Sequence, residues 1–168
     1  TSTFLKSHGF CVPRYAQIGA VADLIGIDYF PVVLKPSRGG GGSANAFLAQ
    51  DRDELGWLGR FLLARYSQFI VQEYVGRPMD EYTGGVLSDL NGILINSIAL
   101  RRGILRSLSN RSESSNRTQR DDLGPVLALS SGVSQGEIGS FPHVTSVCER
   151  ISLALGARGP VNIQCRVV

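Results

Sequence analysis

Lys35 closes an apolar run, YFPVVLKP, and four consecutive glycines follow it: Gly39, Gly40, Gly41 and Gly42, bracketed by Arg38 and Ser43. Glycine tolerates φ > 0 and close approach of the backbone, so several N–H groups in such a loop can converge on phosphate oxygens. Only two of the 17 basic residues are lysines, Lys6 and Lys35; the other fifteen are arginines. A compact ammonium meets a phosphate as a point charge, whereas a guanidinium is a wider fork. The lysine precedes the glycines, and neither GxxxxGK[ST] nor GxGxxG is present, so this is no Walker A loop. A plain flexible hairpin tip would also look like this.

Two further groupings offer chemistry. In VQEYVGRPMDEY (71–82), a strand ends at Glu73-Tyr74-Val75 and Gly76 turns the chain. Free backbone groups at such a strand end can read the edge of a base, and a carboxylate such as Glu81 can accept from both hydroxyls of a ribose. Solvated strand ends are the plainer account of both glutamates. In the last strand, PVNIQCRVV, Asn162, Gln164 and Arg166 share one face by period 2. Amide oxygens are hard ligands that suit Mg²⁺ beside carboxylates and phosphates, or they cap loops at the edge of a core. Arg101 and Arg102 could neutralise phosphate charge in a transition state, or form a solvent-facing pair.

The elements that position these residues are legible in outline. TSTFLKSHGF reads as the end of a helix stopped by Gly9, and YFPVVLKP and ANAFLAQ as strands joined across the glycines. DRDELGWLGRFLLARY is an amphipathic helix with Leu55, Leu58, Phe61, Leu62 and Arg65 at helical spacing. QFIVQEYV is a buried strand, and DEYTGGVLSDLNGILINSIAL a hairpin turning at Asp89–Gly92, with GILRSLS as a third strand. Residues 110–140 are polar and weakly periodic, and read as a loop or lid with one apolar run, GPVLALSS. Val144, Val147, Ile151 and Leu155 line one face of a helix that ends at Gly156, before the final strand. Hairpins beside helices point to α+β layers, not a parallel sheet.

Composition sets limits. The 168 residues are 43% apolar and 18% charged with a net charge of +3, enough for a real core. No apolar segment approaches the ~20 residues of a membrane span, and no basic stripe argues for nucleic acid. Cys11, Cys148 and Cys165 form no CxxC pair, and His8 and His143 lie at no metal spacing from them. They read as reduced, mostly buried thiols in a cytoplasmic protein. The chain begins at Thr1, which points to a piece of a longer protein.

In chain order, TSTFLKSHGFCVPRY, FPVVLKPSRGGGGSANAF, FIVQEYVGRPMDEYTGGVLSDLNG and GARGPVNIQCRVV together resemble the ATP-grasp superfamily. The resemblance is to domains of the carbamoyl-phosphate-synthetase large-subunit type and related carboxylate–amine ligases. It covers nearly the whole chain and is poorest over 110–140. It implies two α+β lobes with mostly antiparallel sheets clamping ATP, here a glycine-loop lobe over about 12–75 and a larger lobe over 76–168. By the family pattern Lys35 would contact phosphate, and Arg38 to Ser43 would fold over the β- and γ-phosphates. Glu73, Tyr74 and Val75 would line adenine, and Glu81 would hold ribose. Gln164, with Asn162 beside it, would face Mg²⁺, with Mn²⁺ admissible, and Arg101 would lie near the transferred phosphoryl group, with Arg102 competing. The implied chemistry converts a small-molecule carboxylate to an acyl phosphate that an amine or other nucleophile attacks, mostly by positioning and charge neutralisation. Neither nucleic acid nor membrane enters it, and a homodimer is left open.

The chain departs from the pattern at both ends. An aspartate–lysine pair before Thr1 and an E.NpR strand beyond Val168 are missing, so the piece alone is expected to be inactive. Arg111, Arg117 and Arg120 would either recognise an anionic second substrate or keep a lid soluble. A non-catalytic, ATP-binding regulatory module is the alternative reading, and an oligomer-forming lobe of a larger synthetase a third.

Overall fold

The computed structural model describes residues 1–38, 43–105 and 108–168. Gly39, Gly40, Gly41 and Gly42 lie outside the described residues.

Helix α1 (Ser2–Ser7) leads into an antiparallel sheet of β1 (Tyr15–Ile18), β2 (Val32–Pro36), β3 (Phe47–Ala49) and β4 (Phe69–Glu73), in the order β1-β4-β2-β3. Alternation along β2 sorts its side chains: Val32 and Leu34 are buried on one face, and Val33 and Lys35 leave on the other. Helix α2 (Arg52–Leu63) covers the first face, where Leu55 and Leu62 pack with Ile18, Val32, Leu34, Phe69 and Val71. Asp51 caps α2 by accepting from Glu54 N–H at 2.9 Å. Gly59 lets the helix settle against Leu24, because a Cβ there would stand 2.6 Å from Leu24 Cδ1.

The second sheet is also antiparallel, in the order β10-β5-β6-β9, built from β5 (Glu81–Ser88), β6 (Leu94–Arg102), β9 (Gly136–Gly139) and β10 (Gly159–Arg166). The β5–β6 turn forms as expected. Asp89 Oδ1 accepts from the N–H groups of Asn91 and Ile93, both at 2.8 Å, and those backbone bonds hold its carboxyl below the usual range. The third strand is β9, not GILRSLS, whose described residues lie in no strand. Helix α3 (Pro142–Ala154) covers one face with Val144 and Cys148 against Tyr82, Val86 and Ala99. Its buried stripe is Val144, Cys148 and Ile151; Val147 and Leu155, expected on it, are 40% and 50% exposed. Glycine decides this rotation, since Gly84 lacks the Cβ that would stand 2.4 Å from Cys148 Sγ.

Residues 110–140 are not structureless. Besides β9 they hold β7 (Asn110–Ser115) and β8 (Val126–Ser130), an antiparallel ribbon. Leu127 and Leu129 of β8, with Leu123, pack on Tyr74, Val33, Ala46 and Leu48, the face of the first sheet that α2 leaves uncovered. The ribbon is tied to the edge of that sheet by one buried amide. Gln50 Nε2 donates to Ser114 Oγ at 3.1 Å and Ser115 C=O at 2.9 Å, and its Oε1 accepts from Arg117 N–H at 2.7 Å.

Candidate functional site

On the face of the first sheet opposite α2, which β8 partly covers, Lys35 Nζ donates to Gln72 Oε1 at 2.6 Å. The two sit diagonally across β2 and β4. Burial pushes the Lys35 pKa down, and it has no carboxylate partner among the described residues. Arg38 is exposed, while Ser43 and Asn45, beyond the glycines, adopt φ of 58° and 59°.

Glu73 follows Gln72 and so leaves on the other face. There Arg14 Nε meets its carboxylate at 3.2 Å, and this hydrogen bond raises the arginine pKa. Tyr74 is buried, its hydroxyl accepting from Ala128 N–H at 2.9 Å and donating to Ala128 C=O at 3.2 Å. Its own N–H goes to Pro31 C=O at 3.0 Å. Val75 C=O accepts from Arg166 Nη1 at 3.1 Å, whereas Val75 N–H has no protein acceptor among the described residues.

Glu81 is buried and fully engaged. Oε1 accepts from Arg102 Nη1 at 3.0 Å and from Gln164 Nε2, and Oε2 accepts from Arg166 Nε at 3.0 Å. Register explains the convergence: Arg166 stands opposite Glu81 across β10–β5, and Tyr82 opposite Arg101 across β5–β6. Arg102 therefore points into the cluster, where Nη2 also donates to the carbonyls of Ser131 and Val133 at 2.9 and 2.7 Å. Arg101 leaves on the opposite face, exposed, paired with Glu137 at 2.9 Å. Of the two arginines weighed from sequence, Arg102 shares a face with Gln164.

Gln164 gives its N–H₂ to Glu81 and to Ser130 Oγ, 2.8 Å away, leaving Oε1 with no protein donor among the described residues. Asn162 is exposed on the same face. Two neutral amide oxygens beside a saturated carboxylate do not make a magnesium site, because Mg²⁺ ordinarily takes one or two free carboxylates with substrate phosphates. No group of three or more His, Cys, Asp or Glu suited to a metal occurs among the described residues.

Of the three arginines in 110–120, Arg117 pairs with Glu54 and Arg120 with Asp122 at 2.6 Å. Arg111, unpaired among the described residues, lines an open groove of about 370 Å³ with Glu113, Phe47, Leu48 and Leu58. The three cysteines are free: Cys148 is buried, Cys165 half-buried, and Cys11 is exposed, contrary to expectation. A hydrogen bond between Cys148 and Cys165, with burial, pushes the Cys148 thiol up, and the same bond lowers Cys165. Sequence reading gave no role to Gln72, Gln50 or Ser130, and left Arg166 as a bystander although its period-2 place beside Gln164 marked its direction.

No family model matches the sequence, and no curated protein matches it. Solved structures do match. The chain aligns over 99% of its length with D-alanine–D-alanine ligase from Bacillus anthracis complexed with ATP, at 15% identity and a TM-score of 0.55. With VanG D-Ala:D-Ser ligase from Enterococcus faecalis it aligns over 98%, at 14% identity and 0.60. With the L-amino acid ligase from Bacillus licheniformis it aligns over 98%, at 16% identity and 0.60. It spans 47%, 46% and 38% of those chains. Two antiparallel α+β layers in this order are the ATP-grasp fold, and this chain has it. The structures that share it here are ligases acting on amino acids.

Proposed function

We propose that the chain is the nucleotide-clamping part of an ATP-dependent carboxylate–amine ligase, in which a small-molecule carboxylate is activated as an acyl phosphate for an amine or other nucleophile. The observation that carries this reading is Lys35. It is a half-buried ammonium with a neutral partner, on the sheet face opposite α2, directly before the glycine segment. Burying such a charge without a counterion costs stability, and a triphosphate supplies the counterion. Val75 N–H, without a protein acceptor among the described residues, offers a donor at the exit of β4, where a base would lie. The ATP-complexed ligase of the same fold supports the choice of nucleotide. Arg38 and Ser43, with residues 39–42, would close over the phosphates, which would bring a divalent cation with them. Three free cysteines suit a reducing, cytoplasmic setting.

The test is MgATP titration by calorimetry on the protein and on Lys35→Ala. Saturable binding that weakens at least about tenfold in the variant, the scale of one charge-assisted contact, is the expected result. Equal affinity in both, or none in either, would remove Lys35 as the phosphate ligand. One observation favours a binding module without turnover: Glu81, the carboxylate nearest Gln164, is already taken by two arginines. MgATP binding with no ADP release across a panel of carboxylates would decide for that module.

A further inference from the structure

Two uncharged segments meet at one end of the second sheet. Residues 90–100 and residues 151–157 contain no Asp, Glu, Lys or Arg. The β5–β6 turn lies against the chain that follows α3: a Cβ on Gly92 would stand 3.7 Å from Ala157 C=O, and Gly159 pairs with Ser88. Leu90, Ile93, Leu94 and Ile95 of the hairpin, with Leu153 and Leu155 at the end of α3, are 46% to 82% exposed. None of the six belongs to a buried cluster among the described residues. The surface continues along β6. Strand β9 pairs with it only from Ala99 to Arg102, so the edge from Leu94 to Ile98 has no strand partner among the described residues, and no charge blunts it.

We propose that this end of the second sheet is a self-association surface, on which a second copy of the chain packs about a two-fold axis. By the area coefficient for apolar burial, a whole Leu or Ile side chain corresponds to roughly 60–120 Å². At their exposures the six side chains present roughly 200–450 Å² of apolar surface. A standard interface takes about 800 Å² from each partner, and about 65% of it is apolar in homodimers. The patch supplies a large share of that apolar part, and the open β6 edge adjoins it. Charge decides for a second copy. A foreign partner is steered and selected by complementary charges, and these two segments carry none, whereas two identical apolar patches meet without desolvating an ion. A two-fold axis sets the same patch of both copies face to face and closes the assembly at two.

Sedimentation equilibrium over about 1–300 µM, the range in which a modest interface dissociates, tests the assignment. The wild type is expected to pass from 18.1 kDa to twice that mass as concentration rises. The double variant Leu90→Asp, Ile93→Asp brings carboxylates of both copies together and should weaken association about a hundredfold or more. Its Tm should stay with the wild type, because both side chains are exposed in the single chain. Trp57→Asp, at an exposed side chain on α2, is the control and should associate like the wild type. A chain that is monomeric throughout overturns the proposal and leaves the patch to a foreign partner or another segment. Association that the double variant leaves intact also overturns it, as does growth beyond two copies, which marks a head-to-tail contact. Hydrogen exchange in the wild type needs no variant. The amides of residues 93–98 slow as concentration rises through the dissociation constant; dimers without that slowing overturn the proposal even if the double variant fails to fold.

Discussion

Replacing Glu81 with alanine separates the two roles this residue could have. Its side chain is 4% exposed and lies between Arg102 at 2% and Arg166 at 12%. Removing it leaves two guanidinium charges facing each other with no counterion, and breaking a buried pair this way costs about 3–5 kcal/mol. Arg102 makes the loss worse, because its Nε already lacks a partner. For a chain of this size each kcal/mol moves Tm by roughly 2–4 °C, so the expected fall is about 6–20 °C. The internal control is Glu137→Ala, which removes the exposed partner of Arg101 and should cost no more than about 1 kcal/mol. Urea unfolding followed by circular dichroism measures both. If Glu81→Ala unfolds like the control while MgATP affinity collapses, Glu81 is a free ribose ligand and the buried cluster is not what holds it.

Two further outcomes test the packing and the lysine. Gly84→Ala should lose about 1–3 kcal/mol by overpacking, since its Cβ would meet Cys148 Sγ at 2.4 Å. Adding Cys148→Ala should recover most of the loss, and no recovery would mean that α3 seats on β5 by other contacts. Lys35 has its pKa lowered by burial from 10.5, so between the depressed value and 10.5 the unfolded chain binds more protons and stability rises with pH. Lys35→Met should therefore be more stable than the wild type at pH 7, with a gain that shrinks as pH climbs towards about 10.5. A gain that is the same at both ends of that range would refute burial as the cause.

The local sequence determined a good deal of this molecule. Period-2 alternation in VVLKP placed Lys35 opposite the helix-covered face, period 3.6 defined α2 and α3, and Asp-Leu-Asn-Gly fixed the β5–β6 turn. These follow from backbone geometry within a few residues, so neighbours in the chain suffice to specify them. Asn162, Gln164 and Arg166 sharing a face was legible for the same reason.

What only the tertiary structure decided depends on strands distant in sequence. Polar β7 and the short apolar run of β8 looked like loop because β8 is buried by Tyr74 and by Leu48 of the first sheet and β7 is tied down by the Gln50 amide, not by their own periodicity. The buried face of α3 turned from Val147 to Cys148 because a glycine on β5 opened room there. Arg102 rather than Arg101 entered the polar cluster through the register of β5 against β6. Glu81 lay between two arginines because β10, about 80 residues on by the chain numbering, pairs beside it. A one-residue slip in either register would send those charges to the other face.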